Sequence, residues 1–321
     1  MNAVLERLSM IGIVPVVKIE RVEDAIPLAQ ALCAGGLPCA EVTFRTEAAS
    51  GAIKAMTEHF PNMCVGAGTV LNAAQVDAAS GAGAQFIVSP GLNPKTVKYC
   101  VEKRIPITPG VCGPSDIEIA IELGLDAVKF FPAEQSGGLA MIKALAAPYG
   151  TMKFLPTGGI NVKNLLTYLN YDKVIACGGS WMVPADLINA GKWDQIEQLT
   201  REAVQTMLGF TLLRVALYTS DEQEAQSTAK RFGALFGLGI TADGESVFAG
   251  NAFEMKKTSD SAIKGEFVIA TNYLSRAKFY LETVLEAAFD EQATQYNQAG
   301  KGTALFLKED IGGFLIKIVQ K

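Results

Sequence analysis

Short apolar runs alternate with amphipathic stretches of helical spacing along the first part of the chain. Eight such pairs occur between residue 12 and about residue 205. Strands that are apolar on both sides and alternate with helices are typical of a parallel sheet covered by helices, and eight such units close into a (β/α)8 TIM barrel. Pro15 cannot donate to a central ladder, so we expect a bulge there. The predicted strands cover residues 13–17, 40–44, 64–68, 86–90, 106–110, 127–131, 153–157 and 174–178.

The pattern changes after Gly209, where strand-like alternation of apolar and polar residues takes over. Five runs fit strands, and two stretches of helical spacing each follow one of them. The order β-α-β and then β-α-β-β predicts a smaller α+β domain with a weak internal duplication. We therefore expect two domains, 1–209 and 210–321. The predicted strands cover residues 211–219, 246–255, 265–272, 303–308 and 313–321, and the helices cover 224–237 and 275–288.

Composition and charge exclude several classes of protein. Hydrophobic residues make up 49% of the chain, which is enough for a large core and excludes disorder. The 28 Lys and Arg against 33 Asp and Glu give a net charge of −5, which argues against nucleic acid or an anionic membrane as a partner. No apolar run approaches the roughly 18 residues that a membrane span needs. The six cysteines contain no CxxC pair and indicate a reduced, cytoplasmic protein.

The histidine count limits the chemistry. His59 is the single histidine, so a metal site with several imidazole ligands is excluded, and we expect neither a metal nor another cofactor. Active sites of such barrels lie where strands end and the following loops begin, so we expect the reactive groups at those positions. Two glycine pairs follow the seventh and eighth strands, Gly158-Gly159 and Gly178-Gly179, the latter followed by Ser180. They fit a phosphate-binding end, or simply tight turns with positive φ.

Three charged residues on predicted strands have both a chemical and a structural interpretation. Lys129 lies between large apolar residues, and a dry environment favours the neutral amine that Schiff-base chemistry needs. A buried ion pair would explain it equally well. Glu41 and Arg45 could form an ion pair with each other, or serve as a proton shuttle and a fork for a substrate carboxylate. Glu134 could line the site or begin a helix.

Seven strings at these strand ends together resemble the 2-keto-3-deoxy-6-phosphogluconate (KDPG) / 2-keto-4-hydroxyglutarate (KHG) aldolase family. They are EVTFRT (41–46), GAGTVL (66–71), SPGL (89–92), TPGV (108–111), KFFPAE (129–134), PTGGI (156–160) and GGSWMVP (178–184). The resemblance covers about residues 1–205 and implies a metal-free class I aldolase on a TIM barrel, a homotrimer. It implies that Lys129 forms the imine and that Glu41 is the general acid/base. The implied substrate-binding residues are Arg45, Thr69, Phe131, Gly158, Gly159 and Ser180; Lys18 lies where the family often has another basic residue.

The implied reaction converts KDPG, a small phosphorylated keto acid of the Entner–Doudoroff pathway, to pyruvate and glyceraldehyde 3-phosphate. KHG, which would give pyruvate and glyoxylate, is a second substrate. Three alternatives stay open: an aldolase for the galactonate epimer, a different phosphosugar barrel such as an epimerase, and a catalytically weak barrel serving a ligand-sensing C-terminal domain.

The C-terminal segment has a resemblance of its own. Residues 270–289 and 312–321 resemble a module of the glyoxalase/bleomycin-resistance (vicinal oxygen chelate) superfamily, which pairs two β-α-β-β-β units. The segment contains no histidine, and Lys317 stands where a carboxylate ligand is expected. Its first strand offers Arg214 and Tyr218 but no ligand. We therefore predict a metal-free module that binds a small metabolite, mediates assembly or is a relic.

Overall fold

The computed structural model describes residues 1–258, 263–300 and 302–321, which form two compact units. The first unit comprises Met1–Met207 and the second Leu208–Lys321. Along the part of the chain that the model describes, no helix is long and apolar enough to cross a membrane.

The first unit alternates strands with helices along its whole length. Its strands are β1 (Ile13–Val17), β2 (Cys39–Thr43), β3 (Cys64–Gly68), β4 (Ile87–Ser89), β5 (Ile107–Val111), β6 (Ala127–Phe130), β7 (Lys153–Pro156) and β8 (Cys177–Gly179). Its helices are α1 (Ala3–Ile11), α2 (Ala25–Ala34), α3 (Ala49–His59), α4 (Ala73–Gly81), α5 (Pro94–Glu102), α6 (Pro114–Glu122), α7 (Gly138–Ala146), α8 (Leu165–Leu169), α9 (Ala185–Asn189) and α10 (Trp193–Leu208).

These strands form the predicted barrel. They pair in parallel in the order β7-β6-β5-β4-β3-β2-β1-β8. Two isolated parallel bridges, Phe154–Val174 and Thr157–Gly178, connect β7 to the segment of β8 and close the ring. The predicted run 174–178 is displaced, because Val174 makes only that bridge and regular pairing of β8 with β1 begins at Cys177.

The predicted bulge at Pro15 is wrong. Strand β1 keeps a continuous register with β8 from Ile13 to Pro15 and with β2 from Val16 onward. Pro15 therefore lies where pairing passes from one neighbour to the other, and its missing N–H interrupts neither ladder.

Two glycines of β3 give the barrel interior the space that its larger residues need. A Cβ on Gly68 would lie 2.3 Å from Oε1 of Glu41, and one on Gly66 would lie 2.4 Å from the ring of Phe86. Any side chain at Gly68 would therefore displace the Glu41 carboxylate. The sequence GAG of this strand reflects crowding around a buried acid.

The second unit is a single mixed sheet with two helices. Its strands are β9 (Thr211–Thr219), β10 (Ile240–Asp243), β11 (Ser246–Ala249), β12 (Phe253–Lys257), β13 (Gly265–Thr271), β14 (Gln295–Tyr296), β15 (Gly302–Phe306) and β16 (Phe314–Gln320), and its helices are α11 (Glu222–Phe236) and α12 (Leu274–Thr283). The sheet order is β10-β11-β12-β9-β13-β16-β15-β14. Two β-α-β-β-β units thus meet at the antiparallel β9–β13 pair, the topology that the second resemblance implies.

The sequence misjudged part of this sheet. The predicted strand 246–255 is a hairpin, because the chain turns at Gly250, whose φ is +58°, and β11 then pairs antiparallel with β12. Strand β10 was not predicted; all four of its residues are exposed, so it has no alternation of apolar and polar positions.

Candidate active site

A buried ion pair joins two strands on different sides of the barrel. Nζ of Lys129 on β6 donates to Oε1 of Glu41 on β2 over 3.1 Å, and the two side chains are only 6% and 1% exposed. Within the described residues, Oε2 of Glu41 is buried and has no hydrogen-bond partner. The two sequence interpretations of these residues are thus compatible: they form an ion pair, and one carboxylate oxygen remains available to a substrate or a water.

A cavity of about 340 Å³ lies at the carboxyl ends of strands β1, β2, β6, β7 and β8. Thr43 on β2 and Phe131 directly after β6 line it, and each follows a member of the ion pair by two residues. Because alternate residues of a strand point to the same side, Lys129 and Glu41 lie one layer deeper below these wall residues. Nζ of Lys129 is 5.3 Å from the centre of the Phe131 ring, which places an apolar wall over the amine.

Arg45 and Thr69 form a second contact at the same end of the barrel. Nε of Arg45 donates to Oγ1 of Thr69 over 3.3 Å, and the exposed Arg45 lines the cavity. Thr69 has a φ of +56°, a left-handed conformation that is unusual for a β-branched residue. Backbone strain of this kind clusters at functional sites, where the surrounding structure maintains it. Arg45 is therefore held by Thr69 and not by Glu41.

The loops that follow β7 and β8 both reach the cavity wall. Gly158, Gly159 and Ser180 all line it, and the Thr157–Gly178 bridge joins the start of the first loop to β8. Gly158 and Gly159 have φ values of +101° and +80°, so the expectation of a turn with positive φ is correct for this pair. Two glycines in this conformation allow a ligand to approach the backbone closely. The expectation is wrong for Gly178 and Gly179, which lie within β8.

Lys18 adds a cation to this wall. Its side chain lines the cavity and forms an ion pair of 2.5 Å with Glu20, with 46% of the Lys18 side chain exposed. The strand-end position given by the sequence is correct, and the structure in addition places the residue beside the glycine loops. A basic side chain near two such loops suits an anionic group.

Other candidates lie elsewhere. His59 is exposed near the end of α3, with Nδ1 2.9 Å from the carbonyl oxygen of Ala55. Glu134 does not line the cavity; it accepts a hydrogen bond from the hydroxyl of Tyr168. Burial raises the pKa of that hydroxyl well above its ordinary value, and the carboxylate of Glu134 raises it further.

Two threonine hydroxyls were given no role from the sequence. Oγ1 of Thr157 and Oγ1 of Thr108 are both buried and have no hydrogen-bond partner among the described residues. Thr157 lines the cavity, and its side chain occupies the space beside Gly178, where a Cβ would lie 2.3 Å from Oγ1. An unpaired buried hydroxyl is costly unless a ligand or water satisfies it. Alternation along β7 could have identified Thr157, because it lies two residues after the inward-facing Leu155, the register partner of Lys129.

Comparison with known proteins agrees with this geometry. The family model for KDPG and KHG aldolases matches residues 4–199. The chain is 50% identical over 205 residues to the 2-dehydro-3-deoxy-phosphogluconate aldolase of Treponema pallidum, covering 64% of this chain and 98% of that protein. It is 46% identical over 193 residues to the KHG/KDPG aldolase of Escherichia coli K12, covering 60% and 91%.

Solved structures of KDPG aldolases are also similar to this chain. A KDPG aldolase from Legionella pneumophila, with pyruvate captured as a covalent carbinolamine intermediate, superposes with a TM-score of 0.60 at 38% identity over 62% of this chain and 97% of that one. The Zymomonas mobilis ZM4 aldolase with 3-phosphoglycerate gives a TM-score of 0.58 at 42% identity over 62% and 94%.

Proposed function

The chain belongs to the KDPG and KHG aldolase family, and from that premise we propose that it is a class I aldolase that cleaves KDPG to pyruvate and glyceraldehyde 3-phosphate through a Schiff base on Lys129. The observation that carries this proposal is the buried Lys129–Glu41 pair below the cavity. An amine held there can attack a keto group, and a carboxylate with one free oxygen can move the protons that the reaction requires.

The proposed cleavage passes through an imine and an enamine on Lys129. Glu41 accepts a proton from the paired Lys129 ammonium, and the neutral amine adds to the C2 keto group of the substrate. Glu41 returns that proton as water leaves, which gives a protonated imine. Glu41 removes the proton of the C4 hydroxyl, the C3–C4 bond breaks, and its electron pair passes into the imine to form an enamine. The aldehyde leaves, Glu41 returns a proton to C3, and hydrolysis of the imine releases pyruvate and restores the amine.

The cavity walls fit the two ends of such a substrate. Arg45 and Thr69 would hold the carboxylate next to the keto group, and Phe131 would cover the apolar side of the imine. The backbone of Gly158 and Gly159 would bind the distal phosphate together with Ser180, and Lys18, which pairs with Glu20, lines the same cavity. This arrangement favours a phosphorylated keto acid of the Entner–Doudoroff pathway, with KHG as a poorer substrate.

Trapping the imine tests the proposal. Incubating the chain with pyruvate and borohydride, followed by peptide mass mapping, should place one stable adduct on Lys129. Lys129→Ala should lose the adduct and nearly all aldolase turnover. Lys153→Ala is a matched control, because Nζ of Lys153 only donates to the carbonyl of Asp172 outside the cavity, and it should keep both. An adduct on a different lysine would refute the assignment.

We propose further that the protein acts in the cytoplasm as a homotrimer, as the family resemblance implies. Light scattering coupled to size-exclusion chromatography tests the assembly directly: a mass of three chains is expected, and a monomer would refute it.

A further inference from the structure

The sheet of the second unit carries apolar residues on one side and charged residues on the other. Ala225 and Ala229 of α11 pack on Val247, Ala249 and Met255. Leu274 of α12 packs with Leu305, Ile316 and Ile318. The register places the strand residues that contact α11 and those that contact α12 on one side of the sheet. Both helices therefore cover that side.

The alternate residues of the same strands form what we call the ionic face. It consists of Arg214 and Tyr218 on β9, Glu254 and Lys256 on β12, Glu266 on β13 and Lys317 on β16. Since successive side chains of a strand point to opposite sides, all six lie on the side away from the two helices. Register confirms this, as Glu254 and Glu266 both pair with Ala216.

Four of the five charges on the ionic face are compensated within it. Nε of Arg214 lies 2.8 Å from Oε2 of Glu254, and Nζ of Lys256 lies 3.1 Å from Oε2 of Glu266. The hydroxyl of Tyr218 donates to Oε1 of Glu266 over 2.7 Å. Burial alone would raise the pKa of Glu266, but Tyr218 and Lys256 together bring it below the ordinary value.

Lys317 is the remaining charge. Within the described residues its ammonium makes no ion pair within 4.0 Å, and its recorded contact is with the ring of Phe306, 5.3 Å from Nζ. Burial lowers the pKa of Lys317, and the nearby Lys256 and Arg214 lower it further, whereas Glu266 and Glu254 oppose the change. The face therefore carries one uncompensated positive charge in a half-buried position.

Arg214 and Lys317 lie on either side of Val268 in the sheet. Both are in register with Val268, which lies between them and is 1% exposed. Two strand spacings put their backbones about 10 Å apart. An aromatic ring stands beside each cation: the Arg214 guanidinium carbon is 5.9 Å from the centre of the Phe248 ring, and Phe306 stands beside Lys317.

The charge and the exposed groups of this face suit a small anion. The Arg214 side chain is 33% exposed, so solvent reaches its guanidinium, and its contact with Glu254 involves Nε. The terminal nitrogens of an arginine form a fork that matches a carboxylate. The single excess charge suits a monoanion, and the two half-buried rings suit an apolar body.

We propose that the ionic face is a second, non-catalytic binding site for a small organic monocarboxylate, whose carboxylate lies between Arg214 and Lys317 and whose apolar part lies against the two phenylalanine rings. The site uses charge that the fold itself leaves uncompensated, and it is independent of the aldolase assignment.

The test uses 4-fluorobenzoate as the probe and the full-length chain. Fluorine NMR should show saturable binding at millimolar concentrations or tighter. Lys317→Met and Arg214→Met should each weaken binding at least tenfold. Lys230→Met removes an exposed lysine from α11, on the other side of the sheet, and should bind like the wild type. Acetate should compete more effectively than inorganic phosphate.

A second readout separates a binding role from a structural one. Lys317→Met removes a half-buried cation without a counter-ion, so its unfolding temperature should rise by a few degrees without carboxylate and should no longer increase when the probe is added. A structural lysine would give the opposite sign. The proposal is overturned if the wild type does not bind the probe, if Lys317→Met binds as tightly as Lys230→Met, or if phosphate outcompetes every carboxylate.

Discussion

Replacing Glu41 by glutamine separates imine formation from carbon–carbon cleavage. Glutamine keeps the shape of the side chain in the space that Gly68 leaves, but it cannot accept a proton. Lys129 keeps its place below the cavity, so trapping with pyruvate and borohydride should still label it in part. Loss of a general acid/base slows turnover by about 10²- to 10⁴-fold, which corresponds to about 2.7 to 5.4 kcal/mol of barrier.

The same change should lower stability, because Lys129 loses the partner that lies 3.1 Å away in a setting where both side chains are almost fully buried. Breaking a buried pair by removing one partner costs about 3 to 5 kcal/mol. At about 2 to 4 °C per kcal/mol for a unit of this size, the unfolding temperature should fall by roughly 6 to 20 °C. The double variant Glu41→Gln/Lys129→Met should recover part of that loss, since no unpaired charge remains.

Three assays distinguish a proton-transfer role of Glu41 from a purely structural one. Coupled detection of pyruvate measures cleavage, borohydride trapping measures the imine, and NMR in D2O measures exchange of the pyruvate methyl protons, which requires proton removal and return at C3. Glu41→Gln should trap pyruvate while exchanging its methyl protons at least ~100-fold more slowly. Exchange and cleavage at wild-type rates would show that Glu41 is only the ion-pair partner of Lys129.

Three further predictions concern the phosphate end and the second unit. Ser180→Ala should raise KM for KDPG roughly 10- to 100-fold, the loss of one hydrogen bond to a charged group, and leave KM for KHG nearly unchanged; equal losses on both substrates would remove the phosphate role. Gly159 is unsuitable for that test, because its φ is +80° and a Cβ would lie 2.5 Å from Glu134, so a variant would be strained. Ending the chain after Gly209 should leave a folded barrel with most of its turnover, and an inactive but folded truncate would contradict the two-domain hypothesis. The pKa of Glu266 is lowered in the folded protein, so this carboxylate stabilises the second unit above its ordinary pKa of about 4.5, and the stabilisation is lost as the pH falls through the folded pKa. Thermal unfolding of the second unit should therefore shift to lower temperature in acid. The shift should be smaller in Tyr218→Phe.

The barrel could be read from the sequence because its signals are local. Each β-α unit has its own apolar run and its own helical spacing, and a parallel barrel buries both faces of every strand, so the runs stand out. The candidate residues were noticed for the same reason: Lys129 and Glu41 are charges inside apolar runs, and Gly158-Gly159 follows a strand end. The second sheet was harder, because β10 is wholly exposed and Gly250 divides what looks like one strand.

Only the tertiary structure determined which of these residues meet. Lys129 and Glu41 are 88 positions apart and contact each other because the barrel closes, whereas Arg45, four residues from Glu41, contacts Thr69 instead. Among the described residues of the second unit, register across β9, β13 and β16 leaves Lys317 without a counter-ion within 4.0 Å, although acidic residues lie nearby in the sheet. Sequence spacing fixes which side of a strand a residue occupies, but partners across strands depend on register and closure, which are properties of the whole sheet.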